Sequence, residues 1–186
     1  MPDRRPLRLF FALWPDAGAR AVLAATAAEL RKSCGGRAPA ANHLHLTLAF
    51  LGSVPAARLP ELENIAAGIA TQSFCHSFML TLDHIGWWRR PRLVWAGMRN
   101  CPCELEALAD ALASGLQSRG FHTEQRRFRP HVTLLRDADR APATATYEAM
   151  SWRATQFVLV QSTIENGGVK YRIVGTWPLQ AASASL

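Results

Sequence analysis

One four-residue pattern occurs twice in the chain: His45-Leu46-Thr47-Leu48 and, 86 residues later, His131-Val132-Thr133-Leu134. Each copy sits in an apolar run of strand character, where successive side chains point to opposite faces. His45 and Thr47 therefore share one face, with Leu46, Leu48 and Phe50 on the other. His131 and Thr133 stand against Val132 and Leu134 in the same way. The aliphatic partners anchor each strand in a core, and the imidazole and hydroxyl are left to face a shared opening.

The flanking pattern predicts the elements that carry these strands. Leu7 to Leu13 reads as a strand, followed by a helix capped by Asp16, running through Leu23, Ala27 and Leu30 to about Lys32 and ended by Gly35-Gly36. Leu44 to Leu51 is a second strand stopped by Gly52, and Ser53-Val54-Pro55 opens a second helix carrying Leu59, Leu62, Ile65, Ala66 and Ile69. Short strands at Phe78–Leu82 and Leu93–Met98 flank an aromatic and basic loop. A third helix runs from about Pro102 to Gly120. Strands at Val132–Leu135, Thr155–Ile164 and Val169–Trp177 complete the chain, the last two joined by a hairpin at Asn166-Gly167-Gly168. Asp137 to Ala145 is the most loop-like stretch. This order predicts an α+β fold with mainly antiparallel sheets. A length of 186 residues suits one domain or two small lobes sharing a core.

Histidine is the side chain whose unperturbed pKa serves both proton removal and proton donation near neutrality. Two of them facing one opening can deprotonate an attacking water or hydroxyl and protonate a leaving oxygen. The threonine hydroxyls can donate to non-bridging phosphate oxygens, where charge grows in the transition state. The set suits phosphodiester cleavage and needs no metal. His43 with His45 also forms H-x-H, a zinc-like pair, but further ligands would have to come from afar.

Three segments carry a family resemblance: Arg8-Leu9-Phe10-Phe11-Ala12-Leu13, Asn42 through Gly52 around the first motif, and Arg129 through Arg136 around the second. In order and spacing the chain resembles the 2H phosphoesterases, and within them the bacterial RNA 2′,3′-cyclic phosphodiesterases, also called 2′-5′ RNA ligases (LigT-like). The resemblance runs from about Leu7 to Trp177. It implies a single domain over residues 1–186 made of two lobes related by a pseudo-twofold axis, with the active-site groove between them. It implies hydrolysis of a 2′,3′-cyclic phosphodiester to a 2′-phosphomonoester without metal or other cofactor. His45 would then be the general acid toward the 3′ oxygen, His131 the base, and Thr47 and Thr133 the phosphate holders. Run in reverse, the same site would form a 2′-5′ linkage.

The formal charge of +7, from 21 Lys+Arg against 14 Asp+Glu, points toward a polyanion. Trp87, Arg89, Arg90 and Arg92 combine a stacking surface with cations, as single-stranded RNA binding requires. Arg126, Arg127 and Arg129 precede the second histidine as candidate groove residues, and Arg136 is a candidate phosphate clamp. The expected partners are RNA with 2′,3′-cyclic phosphate ends, tRNA halves among them, or cyclic nucleotides. A non-catalytic RNA- or nucleotide-binding protein, or a phosphodiesterase for small cyclic phosphates, are the competing readings. Phe11 and Phe50 are candidates for contact with a base, with buried core the favoured reading. With 49% hydrophobic and 19% charged residues the composition is that of a folded domain. Four cysteines make no disulfide framework. No stretch reaches the 18 apolar residues of a membrane span, and the Leu9–Trp14 run is too short for a signal segment. A cytoplasmic monomer is expected.

Overall fold

The computed structural model describes residues 6–124, 127–143, 147–165 and 168–181. In chain order the described elements are β1 (Leu7–Leu13), α1 (Ala17–Cys34), β2 (Leu46–Val54), α2 (Leu59–Ala70), β3 (Phe78–Leu82), β4 (His84–Trp88), β5 (Leu93–Gly97), α3 (Cys103–Ser118), β6 (His131–Leu135), β7 (Met150–Ala154), β8 (Gln156–Glu165) and β9 (Gly168–Pro178). Seven strands form one sheet in the order β4-β5-β6-β2-β1-β8-β9, and β3 pairs with β7 in a separate ribbon. Every ladder between these strands is antiparallel. The fold is α+β, as the element order predicted.

The sheet buries one face under the helices. Leu9, Phe11 and Leu13 of β1 are fully buried with Leu23 of α1, Leu62 of α2 and Leu105, Leu112 and Leu116 of α3. At roughly 1.5–3 kcal/mol for each large apolar side chain removed from water, this face dominates the hydrophobic term. Phe10 and Ala12, alternating with the core set, meet Val158 and Val160 on the opposite face, with Trp14 and Tyr171 packed beside them. α1 starts where expected, with the Asp16 carboxylate accepting from the Ala19 amide at 2.8 Å, and ends at Gly35 with φ of 71°.

The sheet consists of two blocks, β4-β5-β6 and β2-β1-β8-β9, that meet at a single residue pair, Leu46 with Val132. These are the middle residues of the two repeated motifs. The antiparallel register at that pair sets His45 beside Thr133 and Thr47 beside His131 on the face away from the aliphatic side chains.

Several boundaries differ from the sequence reading. The aromatic and basic loop is the hairpin β4–β5, because His84–Trp88 pairs residue for residue with Leu93–Gly97. β2 continues to Val54, so α2 begins only at Leu59, after the short 3-10 turn Ala56–Arg58. β7 was not predicted, although Met150, Trp152 and Ala154 alternate buried with exposed neighbours as an edge strand does. Of the expected β8–β9 turn, Asn166 and Gly167 lie outside the described residues, and the ladder closes with Glu165 opposite Gly168. All four cysteines are free. Among the described residues no helix is long and apolar enough to cross a membrane.

Candidate active site

Each motif carries a β-bulge at the same position. Thr47 pairs with Ala12 and Ala49 with Phe11, leaving Leu48 as the extra residue; Thr133 pairs with Trp95 and Leu135 with Val94, leaving Leu134 extra. A bulge resets the two-residue alternation. Beyond it, Ala49 and Leu135 turn into the core while Phe50 and Arg136 are exposed. Phe50, expected in the core, is therefore 37% exposed, with the Arg8 guanidinium 4.9 Å from its ring centre. Phe11 is buried as expected.

The two histidines are held alike. His45 Nδ1 lies 2.6 Å from the carbonyl oxygen of His43, and His131 Nδ1 lies 2.7 Å from that of Arg129. A carbonyl only accepts, so Nδ1 is the protonated nitrogen in both neutral rings and Nε2 is left for chemistry. This two-residue back-bond fixes tautomer and ring orientation together.

Aromatic walls hold the imidazoles from either side. The Trp14 ring stacks on His45 at 5.0 Å, with Phe10 at 4.8 Å and Tyr171 at 5.4 Å. His131 meets Trp88 edge-on at 4.7 Å, and Trp95 stands 6.3 Å away. The Trp95 indole lies flat over two glycines: a Cβ on Gly86 would fall 2.1 Å from it, and one on Gly97 2.4 Å. Sequence reasoning missed Trp14 and Tyr171. Trp14 directly follows β1, so its aromatic neighbour pattern was available; Tyr171 arrives from β9 and only the topology brings it in.

Burial lowers the pKa of His45 to about 4, helped by the charges of Arg136, His131 and His43 and opposed by the carbonyl of His43. The pKa of His131 is lowered mainly by burial and also by Arg136, against the Arg129 carbonyl and Glu124. Arg136 thus acts on both rings. Its backbone pairs with that of Arg37 through two hydrogen bonds of 2.8 and 2.9 Å.

Of the candidate RNA contacts, the structure brings some to the site and turns others away. Trp87 faces opposite to Trp88 and packs with Cys34, Val94, Leu135 and Ala138, away from the histidines. Arg92 has partners within the protein: its guanidinium bonds the carbonyls of Ala138 and Asp137, each at 3.0 Å, and the Asp139 carboxylate at 2.6 Å. These bonds fasten the loop after β6, while half of the Arg92 side chain stays exposed beside Arg89 and Arg90. Arg89 and Arg90 flank Trp87 at a small cavity of about 350 Å³. Arg90, Arg127 and Arg129 line a larger groove of about 1180 Å³ that also holds Thr47, Trp88 and His131. Arg126 lies outside the described residues. His43 packs on Tyr171 at 4.6 Å, and among the described residues no three His, Cys, Asp or Glu side chains group to hold a metal.

Comparison with known proteins bears on this geometry. The LigT-like phosphoesterase family matches residues 13–95 and 97–171. The RNA 2′,3′-cyclic phosphodiesterase of Escherichia coli is 39% identical, over 94% of this chain and 97% of that one. The Archaeoglobus fulgidus protein of the same name is 30% identical, over 75% of this chain and 77% of its own. The crystal structure of E. coli LigT complexed with 3′-AMP superposes with a TM-score of 0.82 at 38% identity, covering 94% of this chain and 98% of that one.

Proposed function

Because the chain belongs to the LigT-like phosphoesterases, we propose that it opens the 2′,3′-cyclic phosphodiester at RNA ends, leaving a 2′-phosphomonoester and a free 3′-hydroxyl. The observation that carries this reading is the matched pair of imidazoles, each back-bonded through Nδ1 and each beside the other motif's threonine.

His131 Nε2 takes a proton from a water whose oxygen attacks phosphorus. The P–O3′ bond breaks, and His45, protonated at Nε2, gives its proton to the departing 3′ oxygen. Thr47 and Thr133 donate to the non-bridging oxygens as their charge rises, and Arg136 supplies a fixed positive charge beside both rings. The assignment of acid and base follows the family resemblance, since the pseudo-symmetry of the site is equal toward either. The phosphate charge raises both imidazole pKa values on binding, which lets His45 carry its proton despite its burial. Run backwards with a 5′-hydroxyl in place of water, the steps join a cyclic end to another RNA through a 2′-5′ bond. The protein acts as a cytoplasmic monomer, one domain of two lobes with one histidine and one threonine from each, and without metal or other cofactor.

The test is incubation with cyclic mononucleotides and with RNA ending in a cyclic phosphate, in the presence of EDTA. The expected product is a 2′-phosphate, lost in both His45→Ala and His131→Ala. A 3′-phosphate product, or activity that survives either substitution, would overturn the assignment. RNA bound but uncut by the native chain would favour a binding protein instead.

A further inference from the structure

The two motifs are related by near-symmetry, but the spaces beside them are not. β2 and β6 touch only at Leu46 and Val132 and then diverge, which opens a gap on each side of that pair. On the Thr133 side the gap is shut: the segment before β2 folds in, and Arg37 pairs backbone to backbone with Arg136. Gly36 makes that closure possible, since a Cβ there would lie 2.5 Å from the Arg136 carbonyl oxygen. On the Thr47 side no such bridge forms among the described residues, and the gap is the groove of about 1180 Å³.

Phe50 stands in that groove, five residues beyond His45, as Arg136 stands five residues beyond His131. The paired bulges put both on the exposed side of their strands. One position therefore offers a cation beside the reacting phosphate, and its counterpart offers an aromatic ring. Arg8 covers part of that ring from β1, and the rest faces the groove. The two walls differ in charge. α3 contributes Glu106 and Asp110, one helical turn apart, whereas the β4–β5 turn and the segment before β6 contribute Arg90, Arg127 and Arg129 against a single acid, Glu124.

We propose that this groove is the path of the RNA strand leading to the cyclic end, with Phe50 as the stacking residue for the base next to the terminal nucleotide. The inference rests on the phosphodiesterase reading above and assigns where its substrate continues. A phosphate would be repelled by the α3 wall, so the backbone follows the arginines, and base edges, which carry N–H donors, face Glu106 and Asp110. A flat hydrocarbon ring accepts any base, so Phe50 discriminates by chain length and not by sequence.

The experiment compares kcat/KM for a 2′,3′-cyclic mononucleotide with that for a trinucleotide ending in a cyclic phosphate. The native chain is expected to favour the trinucleotide by about tenfold or more, the range that one stacked base supplies. Phe50→Leu, which keeps apolar bulk and discards the ring, should bring that ratio close to one. Ala113→Phe, filling the groove from the α3 side, should do the same by a different route. A native ratio near one, or a ratio that both variants leave intact, would overturn the groove assignment while leaving the phosphodiesterase reading in place. Hydrolysis of neither substrate would overturn the phosphodiesterase reading itself, and this inference with it.

Discussion

Replacing His45 by glutamine should change how folding stability depends on acidity. The native imidazole has its pKa lowered from 6.5 to about 4, chiefly by burial. In the unfolded chain the ring regains its ordinary value. Between those two values the unfolded state binds a proton that the folded state does not, so stability falls as pH drops through that window and levels off below it. The shift corresponds to about 3 kcal/mol at its fullest, a large part of the 5–15 kcal/mol that holds a typical domain together. Urea unfolding of the native chain and of His45→Gln at pH 7.5, 6, 5 and 4 isolates the effect, because the carboxylates common to both cancel in the difference. The variant should gain on the native protein by about 3 kcal/mol from pH 7.5 to pH 4. A difference that stays constant across the series would refute the claim that the folded site keeps this imidazole unprotonated. The same logic gives a ligand signature: a nucleoside 2′-monophosphate should stabilise the native chain more at pH 5 than at pH 8, because its charge favours protonated rings.

Other substitutions probe separate parts of the site. Thr47→Val and Thr133→Val should each lower kcat on a cyclic mononucleotide about a hundredfold, the usual loss for one oxyanion donor, with a smaller change in KM; steady-state kinetics reads this directly. Gly86→Ala should cost about 1–3 kcal/mol in denaturant unfolding and alter the near-ultraviolet circular dichroism, because the new methyl group displaces the Trp95 ring. Arg92→Ala should lower Tm by several degrees through loss of its three bonds to the Asp137–Asp139 loop. It should leave the salt dependence of RNA cleavage as it was, whereas Arg127→Ala should make that dependence shallower.

The pairing of His45 with Thr47 and of His131 with Thr133 was readable because period-two alternation is a local property, decided within a few residues. The strand and helix order followed from apolar spacing for the same reason. Phe50 escaped that reading because Leu48 is an extra residue only relative to its partner strand β1, and nothing in the sequence of β2 marks it. Trp87 and Trp88 are adjacent and chemically alike, so their roles depend on which face of β4 meets the core, and that is decided by β5 and β6. Arg92 looked like its neighbours Arg89 and Arg90, and only the return of residues 137–139 from a distant part of the chain gives it partners. Tyr171 belongs to the same class, since it reaches His45 across the two intervening strands β1 and β8.

The contact between Leu46 and Val132 makes the four reactive groups mechanically inseparable. A slip of one residue at that rung would displace one strand by about 3.3 Å and turn its polar side chains inward. The histidine of one motif would lose the threonine of the other at the same instant as the reverse pairing was lost. No partial version of the site is compatible with the seam: acid, base and both hydroxyl donors are assembled or dispersed together. Substitutions that loosen this one rung should therefore behave as switches of the active fraction, lowering the number of working molecules while each survivor turns over at the native rate.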